Sequence, residues 1–379
     1  MTKPLQGIRV LDLTRLLPGG VATLMLADLG AEIIKIEAPD GGDYARWMPP
    51  LVEGQGAYFG ATNRGKHSVI LNLKDERGQA VLQRLAARAD VLIEGNRPGV
   101  MDRLNVGYTT LKAINPRLVF CALSGWGATG PYAQRSGHDL NYVSESGLLG
   151  EMNTPQPLGG QIADIGGAYA AVAGICAALV GRDRTGEGAF LDISLFEAAL
   201  PFMTISWVEA ISAGDHIRGR LSGKMACYNV YTTGDGQSVT LAALEPKFWT
   251  NFCTAINRPD LIEGYEKPER QRYLLAELEQ IFALKTAAEW AAQLEPADCC
   301  FSRVMRPSEA LNHPQIEARR SLEWTWSEMP VVHSPIRSGD LPELAPVPGY
   351  GEHTRAVLLS FGYTEAEIDE LTAQGVVQA

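Results

Sequence analysis

Short apolar runs alternate with longer stretches of helical periodicity through the first third of the chain. IRVLDL (8–13) predicts a buried strand, VATLMLADLG (21–30) has helical periodicity and stops at Gly30, and AEIIKIE (31–37) predicts a second strand. SVILNL (68–73), a helix from Glu76 to Ala89 and DVLIEG (90–95) repeat the scheme. A further helix around Tyr108–Ile114 leads into RLVFCALSG (117–125). Strands alternating with helices predict an α/β fold, a parallel sheet with helices on its faces.

The pattern then changes. Residues 164–181 and 191–214 read as long apolar helices joined by the turn-rich GRDRTGEG. From 225, CYNVYTTGDGQSVTLAAL reads as a hairpin around Gly-Asp-Gly, with helices following at 246–257 and 270–294. Pro-rich sequence at 330–348 reads as an extended return, and GEHTRAVLLSFGYTEAEIDELTAQG as two closing helices. These shifts divide the chain into a large domain over 1–200, a linker helix region at 201–224, a smaller α+β domain at 225–329 and a return segment at 330–379.

A length of 379 residues exceeds one ordinary core, in keeping with that division. A hydrophobic fraction of 46% and a charged fraction of 20% are those of a soluble globular protein. A net charge of −11 argues against nucleic acid or an anionic membrane as a general partner, while leaving room for a local basic pocket. The start, MTKPLQGIRVLDL, shows no signal peptide, and the longest apolar run, Ala168 to Val180, is shorter than a membrane span needs. The cysteines at 121, 176, 227, 253, 299 and 300 have neither metal nor disulfide spacing, so a cytoplasmic location and no metal are expected.

GWGATG (125–130) matches G-x-G-x-x-G after a strand, but Pro131 and a polar stretch follow where a dinucleotide site needs a helix. G-x-S-x-G, Walker A and H-E-x-x-H motifs do not occur. Chemistry concentrates instead in SGHDLNYVSESG, where His138 and Asp139 are adjacent, and in two carboxylates at helix entries. Asp164 in ADIGGAYAA and Glu245 in AALEPKFW each suit an N-cap. As a set these four side chains look like acid/base equipment.

The ordered blocks LQGIRVLDLTRLLPGGVATLMLADLGAEIIKIEAP, NRGKHSVILNLK, ADVLIEGNRPGVMDRL, NPRLVFCALSGWGATGP, SGHDLNYVSESG and GEHT…LLSFGYTEAEIDEL resemble the family III CoA-transferases, which include the α-methylacyl-CoA racemases. The resemblance implies a Rossmann-like large domain built from both chain ends, a smaller α+β domain, and an interlocked homodimer acting on an acyl-CoA. It implies no cofactor beyond the CoA moiety of the substrate. Two mechanisms stay open. By likeness to the racemases, His138 and Asp164 exchange an α-proton on opposite faces through an enolate, and Glu245 supports the histidine. By likeness to the transferases, Asp139 attacks the thioester and carries CoA as an aspartyl-CoA thioester. The CoA-binding residues implied are Leu71, Asn72, Leu73 and Lys74, then Asn96, Arg97 and Arg103, and the loop of Gly137, Asn141 and Tyr142. The chain departs from the pattern at Ala38, at SGKMACYNVY (222–231) and at DCCFSRVM (298–305).

Overall fold

The computed structural model describes residues 3–213, 219–325, 329–337, 341 and 344–379. The chain divides into two units: 1–146 with 158–201 and 315–379, and 147–157 with 202–314.

The first unit is built on a seven-stranded sheet. Its strands are β1 (Arg9–Leu13), β2 (Glu32–Glu37), β3 (His67–Leu71), β4 (Val91–Glu94), β5 (Val119–Ser124) and β6 (Phe190–Ser194). The seventh, Val377–Gln378, closes one edge. The spatial order from that edge is Val377–Gln378, β3, β2, β1, β4, β5, β6. The six long strands are parallel, with Val10 opposite both Ile33 and Val91, and only the last strand runs antiparallel, Val377 opposite Leu71. The chain begins in the middle, winds outward one way to β3, then returns to β4 and winds the other way. Order reverses between β1 and β4, and in open parallel sheets the crevice at such a reversal is where ligands bind.

Burial on both faces explains the unbroken apolar strands. Leu11, Ile34, Val69, Leu92 and Phe120 face one core with Leu82, Leu85, Leu358 and Phe361, all at most 2% exposed. Each such side chain is worth about 1.5–3 kcal/mol of transfer free energy. On other contacts of the sheet layer, α1 (Leu16–Asp28) packs against the long helix Ile162–Thr185. That long helix and the stretch Leu195–Ser212 are apolar enough, by length and hydropathy, to cross a membrane. The first packs on α1 and β5, as a core helix does.

Three sequence expectations change here. Residues 190–194 form the edge strand β6 rather than the start of a helix running from 191 to 214, and Leu195–Ala199 and Thr204–Ala213 are separate helices. The helix expected at 270–294 is two, Gln271–Phe282 and Ala287–Leu294, the second opened by a capping box between Thr286 and Glu289. Contacts also move boundaries: 147–157 and the region 202–224 join the second unit, and 315–329 joins the first. The tight turn Arg220–Lys224 packs on strand Tyr228–Thr232, which draws the expected linker into that unit.

The second unit holds a three-stranded antiparallel sheet in the order Phe301–Arg303, Ser238–Ala242, Tyr228–Thr232. Trp249, Phe252 and Phe282, none exposed, anchor its core.

Candidate active site

The turns after β1 and β4 face each other across the reversal of strand order, and two clefts open there. One, about 380 Å³, is lined by Thr14, Glu37, Ala38, Asp43 and Leu71–Lys74. The other, about 800 Å³, is lined by Arg97, Trp126, Arg135, Gly137, His138 and Tyr142. Arg15 and Asn96 stand on the walls of both, so the clefts form one groove.

The expected CoA-binding residues Leu71, Asn72, Leu73, Lys74 and Asn96 line the first cleft, and Asn96, Arg97, Gly137, Asn141 and Tyr142 the second. Arg103 lines neither; it is exposed on the short helix Val100–Arg103. Arg15, Trp126 and Arg135 were not expected. Arg135 pairs with Glu145 at 2.7 Å and lies 5.1 Å over the Trp126 ring.

The turn carrying Arg15 rests on buried ions. Asp12 and Lys35 have no exposed surface, although both lie within strands. Asp12 Oδ1 accepts from the main-chain N–H and hydroxyl of Thr14, at 2.9 and 2.6 Å. Lys35 Nζ donates to the Thr14 carbonyl at 3.0 Å and pairs with Asp43 at 3.1 Å. The Asp43 carboxylate in turn accepts from the Leu16 N–H, the nearer oxygen at 3.2 Å. Burial alone would raise the Asp12 pKa, but Lys35 and Lys66 bring it down to about 2. Burial lowers Lys66 to about 8 despite its contact with Asp12. Leu16 sits at φ 61°, a left-handed conformation that costs a leucine about 1–2 kcal/mol and that the surrounding bonds must hold.

His138 and Asp139 open a helix, α2 (Asp139–Glu145). His138 occupies its extended N-cap position, its N–H donating to Asn141 Oδ1 at 3.0 Å, while the Asn141 N–H returns to the His138 carbonyl at 2.8 Å. His138 is exposed to the second cleft. Tyr142, one turn on, is buried and donates to the Gly137 carbonyl at 2.7 Å. A Cβ on Gly125 would fall 2.2 Å from its hydroxyl oxygen, so this approach requires glycine.

Asp139 reaches across to the next long helix, α3 (Ile162–Thr185). Its Oδ1 accepts the N–H groups of Ala163 at 2.7 Å and Asp164 at 3.0 Å. Gln161, at the N-cap position, makes no side-chain cap. Asp164 is therefore not the cap expected from sequence: it lies in the first turn, and Asp139 performs the capping from another element. Burial first, and then the Asp139 charge, push the Asp164 carboxyl up to about 7. Tyr142 is raised to about 12 by burial and by these same two carboxylates. Neither aspartate lines these two clefts, but Asp139 directly follows His138, which does, and it ties Asp164 to that turn.

Glu245 belongs to the second unit, exposed at the N-cap of the helix Pro246–Ala255, where its side chain makes no capping bond. Its expected role as a cap is not realised. Among the described residues no cluster of three or more His, Cys, Asp or Glu side chains is placed to hold a metal.

The sequence model for CoA-transferase family III matches residues 5–354. Alpha-methylacyl-CoA racemase of Homo sapiens is 32% identical over 99% of this chain and 98% of that protein. Acetyl-CoA:oxalate CoA-transferase of Acetobacter aceti is 36% identical over 84% of this chain and 85% of that protein. The crystal structure of a CaiB/BaiF family protein from Brucella suis superposes with a TM-score of 0.82 at 30% identity, over 95% of this chain and all of that one (100%).

Proposed function

Because the chain belongs to CoA-transferase family III, an enzyme family, we propose that it acts on an acyl-CoA thioester as a racemase of the α-methylacyl-CoA type. The observation that carries this reading is the coupling of Asp139 to Asp164. One carboxylate is committed to a helix end, and its charge, added to burial, raises the other to about 7.

A 1,1-proton transfer needs one group that takes the α-proton from one face and another that returns a proton to the opposite face. A carboxyl with a pKa of about 7 can hold or release a proton at neutral pH. His138, exposed to the cleft, is the partner base in this proposal. The negative charge of the intermediate moves onto the thioester oxygen as an enolate, and main-chain N–H groups beside Asp139 are its proposed donors. Glu245 enters through the family pattern, its carboxylate uncommitted to the helix it precedes.

The interlocked homodimer and a cytoplasmic location belong to the same proposal. Exposed apolar side chains on α4 (Thr204–Ala213), among them Ile205, Trp207, Val208 and Ile211, support a face covered by another chain.

The test is incubation with a 2-methylacyl-CoA in D₂O, following the α-position by NMR. Deuterium incorporation with loss of stereochemical purity is expected. Absence of exchange across several acyl chains, with CoA passing to a free acid, would replace this reading by CoA transfer through an aspartyl thioester.

A further inference from the structure

The groove carries four cationic side chains besides His138, and their pairing separates them. Lys74 is paired with Asp40 at 3.5 Å, and Arg135 with Glu145. Among the described residues, Arg15 and Arg97 have no carboxylate partner. The acids on the first cleft are likewise matched: Glu37 with Arg46 at 2.7 Å and Asp43 with Lys35 at 3.1 Å. Ala38, on the same wall, contributes no charge. Unmatched positive charge thus remains at Arg15, on both clefts, and at Arg97, on the second.

Arg15 is the residue at that meeting point. It follows β1 directly, at the reversal of strand order, and lines both clefts. The first N–H of α1 cannot serve an anion there, because Asp43 already accepts it. The main chain on either side of Arg15 is fixed, Thr14 by Asp12 and Lys35, and Leu16 by Asp43 in its left-handed conformation. A strained turn held by three buried ions thus fixes the main chain from which one exposed guanidinium reaches the groove.

We infer that Arg15 is a binding residue for the phosphate-bearing part of the thioester's carrier, seated at the junction of the two clefts by the Asp12–Lys35–Asp43 cluster. This rests on the acyl-CoA reading and adds to it a contact that is absent from the residues implied by the family pattern. The guanidinium can grip two phosphate oxygens at once, which an ammonium cannot.

The experiment measures binding of acyl-CoA and of the matching acyl-pantetheine thioester, which lacks the nucleotide phosphates, to wild type, Arg15→Gln and Arg15→Lys by calorimetry. Arg15→Gln should weaken acyl-CoA binding about tenfold or more, the scale of one charge-assisted contact, while leaving acyl-pantetheine within about twofold. Arg15→Lys should recover part of the loss. Equal weakening of both thioesters, or of neither, would overturn the assignment while leaving the acyl-CoA reading in place. Wild type that binds neither thioester would overturn both.

Discussion

Asp139 and Asp164 share one helix end: Oδ1 of the first lies 3.0 Å from the main-chain nitrogen of the second. The same oxygen accepts the Ala163 N–H at 2.7 Å. The second carboxyl, half-buried beside it, is pushed up to about 7 by burial and by the neighbouring charge.

Asp139→Asn keeps an oxygen for both amides but removes the charge. Burial still raises Asp164, so its pKa should fall below about 7 without reaching the value of an exposed carboxylate. The corresponding limb of the pH–rate profile for α-proton exchange should move to lower pH. A limb that stays in place would detach Asp139 from the titration. Asp139→Ala should in addition lose the cap, at about 1 kcal/mol by denaturant unfolding.

Asp164→Asn tests the cost of the buried charge. A carboxyl raised from 3.8 to about 7 costs nothing below pH 3.8, and its penalty grows as pH rises towards 7. The variant should therefore gain on the order of 4 kcal/mol over wild type at pH 8, and little at pH 4. Equal stability of the two proteins at pH 8 would refute the shift.

His138→Ala should abolish deuterium exchange while acyl-CoA binding stays within about threefold. In the same preparations, peptide mapping after incubation with thioester and a carboxylic acid should find no CoA adduct on either aspartate. An adduct would establish covalent transfer. Asp164, whose carboxyl does not cap the helix, deserves mapping as closely as Asp139.

Lys35→Met removes the central cation of the buried cluster and leaves Asp12 and Asp43 short of a partner. A loss of about 3–5 kcal/mol is expected by denaturant unfolding. A loss under 1 kcal/mol would mean the cluster does not hold the Arg15 turn.

The parallel strands were legible because burial on both faces leaves continuous apolar runs such as Val119–Leu123. The edge strand Phe190–Ser194 was not, because its outward residues, Phe190 and Asp192, reach solvent or the Ala128 amide, and it passes into a helix without a break. His138, Asn141 and Tyr142 were marked by a local motif and lie together on one cleft. Asp139 as a cap was invisible, because its partner amides are 24 and 25 residues away. Arg15 follows a strand like many other arginines; only the order of strands in space gives its position meaning.

The wall of the first cleft also sets when the groove can exist. The strand leading into Leu71 and Asn72 is fastened by Gly351 and Thr354, from 283 and 284 residues further along, and the Asn72 N–H donates to the Val376 carbonyl. At about 5–20 residues per second, roughly 15–60 seconds of synthesis separate that strand from its fasteners. Through that interval it is an open sheet edge, the kind of surface that recruits other strands. Ligand cannot help to close it, since the cleft that would hold ligand is itself unfinished. Affinity for substrate is therefore among the last properties a growing chain acquires.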